Sequence, residues 1–202
     1  FADTAIGQNY YSRKELEALD DCELERVLDA TDWGVLGLQG KAGRPLLVPL
    51  HFVRLGRSLY FHSAPAGEKI DALRRGKAAS FVAVRPLARV PSYFFDEARA
   101  CGATGFFESV AVKGRARFVT EFEEKARALQ ALMVKLQPEG NHEPIRAGSP
   151  LYRAALRGVA VIALDIETMT GKFKVGQNMP PAKRARLRRR LLARGRPLDR
   201  ET

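Results

Sequence analysis

Cysteine is scarce. Cys22 and Cys101 are the only two in 202 residues, and thiols so far apart form neither a disulfide framework nor a metal-ligand spacing. A reducing cytoplasm is therefore the expected compartment. Long apolar runs are missing too. None approaches the roughly 20 residues that a bilayer-spanning helix needs, so no membrane partner is expected. No signal peptide is recognisable, and the start at Phe1 rather than Met reads as a trimmed N-terminus. The chain also has no internal repeat, no catalytic triad, no paired-carboxylate motif and no dinucleotide fingerprint. Its glycine-bearing loops TGFFES and QPEGNHEP carry no phosphate-loop lysine.

What remains is an ordinary globular composition, 46% hydrophobic and 28% charged. The net charge of +11 suggests a nucleic-acid partner until its distribution is read. Lys183, Arg184, Arg186, Arg188, Arg189, Arg190, Arg194 and Arg196 concentrate it in one short segment. The charge therefore belongs mostly to a tail. That tail has no interleaved aromatics and offers no base-stacking platform.

Hydrophobic periodicity gives the elements. Residues 20–31 read as a helix capped by Asp20 or Asp21, with Leu24, Val27 and Leu28 on one face. DWGVLGLQG, PLLVPLHFVR, SLYFH, ASFVAVRP, ESVAVKGRARFV and GVAVIALDIETMTGKFKV read as strands, the last as one strand or a pair. EKIDALRRG is a short helix. A longer one ends near Leu136, started by a Thr120–Glu123 capping box, with Phe122, Ala126, Leu129, Leu132, Met133 and Leu136 on its buried side. Residues 87–105 and the polar stretch 137–150 read as irregular. About six strands with few helices between them predict a mainly β protein with flanking helices (α+β), built as a small antiparallel barrel. Residues 1–180 are expected to form the barrel domain with its N-terminal helix. Residues 181–202 form a basic tail, helical after Pro180-Pro181.

The stretch YFHSAPAGEKIDALRRG brings His62, Ser63, a Pro/Gly-bearing loop and Lys69 to one strand-to-helix junction. Free N–H groups at a helix start, a hydroxyl and a point charge can hold a phosphate. A strand-to-helix turn with a solvated lysine is the alternative. A two-residue Gly56-Arg57 turn of type II′ would pair 55 with 58, 53 with 60 and 51 with 62. That register sets His51 opposite His62 on one face beside Val53 and Tyr60, and Leu50, Phe52, Leu59 and Phe61 on the core face. Two facing histidines could line a ligand cavity, form a polar pair, or ligate a metal or haem. No third ligand stands near enough for a zinc site.

The segments YFHSA…GEK and ESVAVKGRARFV resemble the pyridoxamine 5′-phosphate oxidase-like split-barrel flavoproteins, and among them the nitroimidazole-resistance (Nim-type) branch. The resemblance spans about residues 13 to 170. It implies a six-stranded split barrel that dimerises, with FMN in each of two grooves between subunits. The phosphate turn would fall on His62, Ser63, Ala64, Gly67 and Lys69. The strand along the isoalloxazine would fall on Val48, Pro49 and Leu50. The partner subunit would contribute the segment Glu108-Ser109-Val110, with Glu108 standing where such relatives often have a tyrosine. The GKFKVGQN match adds Lys172, Gln177 and Asn178. His62 is the candidate catalytic residue. The implied activity is an FMN-dependent oxidoreductase passing electrons from a reduced nicotinamide to a small oxidised substrate such as a nitro compound. Haem or a deazaflavin are alternative cofactors. A non-catalytic flavin or haem module, and a nucleic-acid binder acting through the tail, are alternative functions.

Overall fold

The computed structural model describes residues 20–201, so the first part of the matched segment, 13–19, lies outside the described residues. Helix α1 (Asp21–Asp29) starts where Asp20 accepts a hydrogen bond from the Glu23 N–H, and it buries Leu24, Val27 and Leu28. Strands β1 (Trp33–Gln39), β2 (Pro45–His51), β3 (Val53–Leu55) and β4 (Ser58–Ser63) follow, then α2 (Glu68–Arg75). Next come the long strands β5 (Ala78–Val90) and β6 (Thr104–Phe118), α3 (Phe122–Leu136), α4 (Arg153–Gly158), β7 (Ala160–Lys174) and α5 (Pro181–Arg194).

The strands form one curled antiparallel half-barrel in the order β2-β1-β5-β6-β7-β4-β3. It has seven strands rather than six, because PLLVPLHFVR is not one strand. β2 pairs with β1, β3 pairs with β4, and the chain crosses between the two edges of the sheet at Phe52. Burial of the Phe52 ring fixes that corner. The ring is fully buried, 4.7 Å from the ring of Phe81, and the Lys135 ammonium lies 4.1 Å from its centroid. That ammonium also donates to the carbonyls of Leu28 and Thr31, so one residue of α3 ties the C-terminus of α1 to the barrel corner. The β3–β4 turn carries Gly56 at φ 59° with no positive φ at Arg57. This fits a type II′ turn and excludes type I′.

The same corner overturns the expected histidine pair. His51 is opposite Trp33, and His62 is opposite Val161 on β7. The Thr120–Glu123 capping box does not form either, since Glu121 takes the cap position without a side-chain bond. Of the expected buried face of α3, Ala126 and Leu132 are buried, but Phe122 and Leu136 are exposed. Only the middle of the helix lies over the sheet. β5 runs on into the segment expected to be irregular, with a break in its register between Pro86 and Arg89. α4 was not anticipated.

Among the described residues three clusters make the core. The barrel interior joins Phe52, Leu59, Phe61 and Phe81 to α1 and α2, with Leu50 packed at its edge. Val53, Tyr60, Val161 and Ala163 point the other way and are covered by α3. The far ends of β5 and β6 are covered by α5, through Leu187 and Leu191 against Phe94 and Phe106. The outer face of β2, β1 and β5 has no cover among the described residues. Trp33 is 56% exposed, Leu47 67%, Val82 39% and Val84 49%. No described helix is long and apolar enough to cross a membrane.

Candidate phosphate-binding turn and its surroundings

Strand β4 pairs with β7 up to Ser63 and then leaves the sheet. Pro65 cannot donate to a ladder, and Gly67 takes φ 116°, a conformation open to glycine. Gly67 is the N-cap of α2 and offers no side chain to its first N–H groups, so these face outward without a capping oxygen. Lys69 stands in that first turn, half-buried, and has no ion-pair partner among the described residues. Burial holds its ammonium below the ordinary lysine range.

His62 lies beside it. Partial burial, then the charge of Lys69, then His51 hold the His62 imidazole below its ordinary value of 6.5. No carboxylate contributes to either shift. Three basic groups therefore meet with no acid among them, and they repel one another when charged. Glu68 and Asp71 are also in the first turn of α2, with Asp71 engaged by Arg74. The Ser63 hydroxyl donates to the Ala64 carbonyl at 2.9 Å, so it must rotate to meet a ligand. His51 reaches the Asp32 carbonyl at 3.2 Å and packs against Trp33, with ring centroids 3.6 Å apart and the planes tilted by 41°. A solitary exposed tryptophan on a strand is the sequence signal that could have marked this pair.

Val48, Pro49 and Leu50 lie on β2, opposite Leu36, Val35 and Gly34. β2 ends the sheet order, which leaves one row of its backbone groups for a ligand. Gly34 is required by packing, because a Cβ there would lie 2.0 Å from the Phe81 ring.

The remaining candidates are elsewhere. Ser109 on β6 is opposite Lys172 on β7 and donates to its carbonyl at 3.1 Å. Gln177 folds back, donating to the Phe173 carbonyl and accepting from the Val175 N–H, while Asn178 is exposed. Val110 is wholly buried. Glu108 is buried and clamped by Arg26 and Arg85, at 2.6 and 3.0 Å. Burial alone would raise its carboxyl, but the two guanidiniums hold it below the usual range. Sequence reasoning found neither arginine, because each comes from a different, distant element.

Along β7, the partner of His62 and the partner of Ser109 are roughly 35 Å apart. A single chain thus divides the candidate residues into two sets, and it does not bring them together. A cleft of about 1030 Å³ between α3 and the 143–151 loop is a third place. Among the described residues no cluster of His, Cys, Asp or Glu could hold a metal ion.

A family model described as pyridoxamine 5′-phosphate oxidase matches residues 20–173. No curated protein is similar enough to count as a match. Among solved structures, a protein of Bacteroides thetaiotaomicron described as a candidate 5-nitroimidazole antibiotic resistance protein is 25% identical. That match covers 77% of this chain and 85% of that one, with a TM-score of 0.63. The flavocytochrome Anf3 of Azotobacter vinelandii is 24% identical over 86% of this chain and 77% of its own, with a TM-score of 0.68. An FAD- and haem-binding protein of Mycobacterium smegmatis is 20% identical over 90% and 80%, with a TM-score of 0.63. The last two likenesses concern the fold alone.

Proposed function

The chain belongs to the pyridoxamine 5′-phosphate oxidase family, and from that premise we propose that it is an FMN-binding oxidoreductase that works as a homodimer. The observation that carries the reading is the cationic turn. Lys69, the uncapped start of α2 and the protonatable His62 form a basic patch with no carboxylate among its perturbing groups. A phosphate dianion favours the charged form of both side chains, and a compact ammonium beside free N–H groups is a fitting holder for it. Ser63, released from Ala64, adds a hydroxyl, and the β2 edge at Val48, Pro49 and Leu50 offers backbone groups to the ring system.

FMN, when bound, supplies the two-electron chemistry, while the protein positions it and tunes its surroundings. His62 is neutral in the free protein at pH 7, given its depressed value. It can therefore take up a proton when an anion arrives, or hold one at Nε2 or Nδ1 for a substrate. The dimer reading rests on the two separated sets of candidates and on the bare apolar face of β2, β1 and β5. A two-fold copy across that face brings Ser109, Lys172, Gln177 and Asn178 of one subunit toward the turn of the other. A nitro compound as acceptor is the class in line with the likeness to the Bacteroides 5-nitroimidazole resistance candidate, and reduced nicotinamide is the donor this reading assigns.

Two measurements test the reading. The purified protein, supplied with FMN, should quench flavin fluorescence saturably at micromolar protein. It should then oxidise NADH or NADPH in the presence of a nitroaromatic. Absence of saturable FMN binding removes the cofactor, and a haem absorbance band in its place moves the assignment to haem. FMN binding without turnover leaves a flavin module.

A further inference from the structure

We propose that the groove between α5 and the ends of β6 and β7 is a second ligand site, taking a nucleotide whose phosphate is held by Arg184 and Arg188. The groove has a volume of about 330 Å³, at the small end of the range for ligand pockets. It has room for one ring system with its phosphate rather than for a whole dinucleotide. Its floor is apolar, made by Phe106, Val175, Leu187 and Leu191, and Arg184 and Arg188 line it. Three of those four floor residues belong to the cluster that fixes α5 to the sheet, with Val175 packed against it, so the walls are part of the packed fold.

The two arginines are one helical turn apart, and side chains at that spacing project together over one patch. Guanidinium forks at that separation suit phosphate oxygens. Neither arginine has an ion-pair or hydrogen-bond partner for its side chain among the described residues. Of the other cations of the helix, all but Arg189 are occupied. Arg186 and Arg190 donate to the carbonyls of Phe94 and Tyr93, Lys183 lies over the Phe95 ring, and Arg194 is paired with Asp199. The helix therefore spends one flank on attachment and turns Arg184 and Arg188 toward an apolar cavity. A charge run that served only solubility would not need a cavity beneath it.

A single aromatic ring at the floor does not form the succession of stacking platforms that single-stranded nucleic acid uses. A small phosphate carrying one ring system fits better than a polymer. The site shares no residue with the His62–Lys69 turn, but its Val175 wall is hydrogen-bonded to Gln177 of the partner-side flavin set, so the Lys69→Ala control separates it from the FMN reading.

Calorimetric titration of the full-length protein with AMP tests the proposal, with adenosine, inorganic phosphate and a short DNA duplex as comparison probes. AMP should bind saturably and more tightly than adenosine or inorganic phosphate. Arg184→Ala and Arg188→Ala should each weaken AMP by roughly ten- to a hundredfold, the scale of a lost charge-assisted bond. Both side chains are exposed, so melting temperatures should not move. Arg189→Ala does not line the groove, and Lys69→Ala belongs to the other site. Both should leave AMP binding unchanged. No saturable binding of AMP overturns the proposal. Equal losses with Arg189→Ala reduce the effect to general attraction and overturn it. Loss with Lys69→Ala moves AMP to the flavin turn and overturns it. Tighter binding of duplex than of AMP through the same arginines makes the helix a polyanion surface and overturns it as well.

Discussion

At the level of single residues, Lys69 is the side chain on which the most depends. It is half-buried and has no acid partner among the described residues, a cost that a structural role does not explain. Lys69→Ala and Ser63→Ala should weaken FMN by roughly ten- to a hundredfold, from about 1.5–3 kcal/mol per charge-assisted bond. Riboflavin, which lacks the phosphate, should be little affected. Equal losses for both ligands, read by fluorescence titration, would put these residues elsewhere. His62 adds a pH signature. Its value in the free protein is below 6.5. A bound phosphate dianion favours the imidazolium and raises that value, so the complex holds more protons than the free protein between the two. FMN affinity should therefore rise as pH falls toward 6.5, still above the second phosphate pKa of about 6. His62→Gln should flatten the profile, and a profile unchanged by the substitution would exclude proton uptake at His62.

Among the elements, β1 and α5 carry the sharpest constraints. Gly34 has no room for a methyl group, because the Phe81 ring occupies the place and is itself packed by Phe52 and Phe61. Gly34→Ala should destabilise by about 1–3 kcal/mol through overpacking. The measurement is the denaturant midpoint at unchanged slope, and a neutral result would mean that the Phe81 ring can move aside. α5 was expected to be a tail added to a finished barrel. In the structure it covers Phe94 and Phe106, and the segment after it pairs Glu201 with Arg85, which also holds Glu108. Removing residues 181–202 should lower the melting temperature by several degrees and promote aggregation. Phosphate affinity at the His62–Lys69 turn, measured in the cold, should be unchanged because the turn is at the other end of β7. A truncated protein as stable as the full chain would make the packing of α5 incidental.

For the whole molecule, the question is what covers the outer face of β2, β1 and β5. Large apolar side chains at Trp33, Leu47, Val82 and Val84 are exposed together on neighbouring strands, a pattern that marks an interaction surface. Sedimentation should show a homodimer at micromolar concentration. Val84→Glu should shift it toward monomer and reduce FMN affinity, with little change in far-ultraviolet circular dichroism. A monomeric wild type would remove Ser109, Lys172, Gln177 and Asn178 from the flavin site. A monomeric variant that binds FMN normally would place the whole site within one chain.

The sequence by itself determined the local elements and the turn. Leu24, Val27 and Leu28 repeat at helical spacing, SLYFH leads through the short SAPA turn into GEKIDALRRG, and Gly56-Arg57 holds its hairpin. Each is set by neighbours along the chain, so each was readable. The tertiary structure alone decided where distant segments meet. The break at Phe52 depends on Phe81 and Lys135, which no local pattern links to it. That break moved His51 from His62 to Trp33 and made seven strands of six. The clamp of Arg26 and Arg85 on Glu108, and the docking of α5 on Phe106, likewise join residues far apart in the chain. Periodicity reports which face of an element is apolar. It does not report which other face will cover it, because that choice is made by packing between segments and not within them.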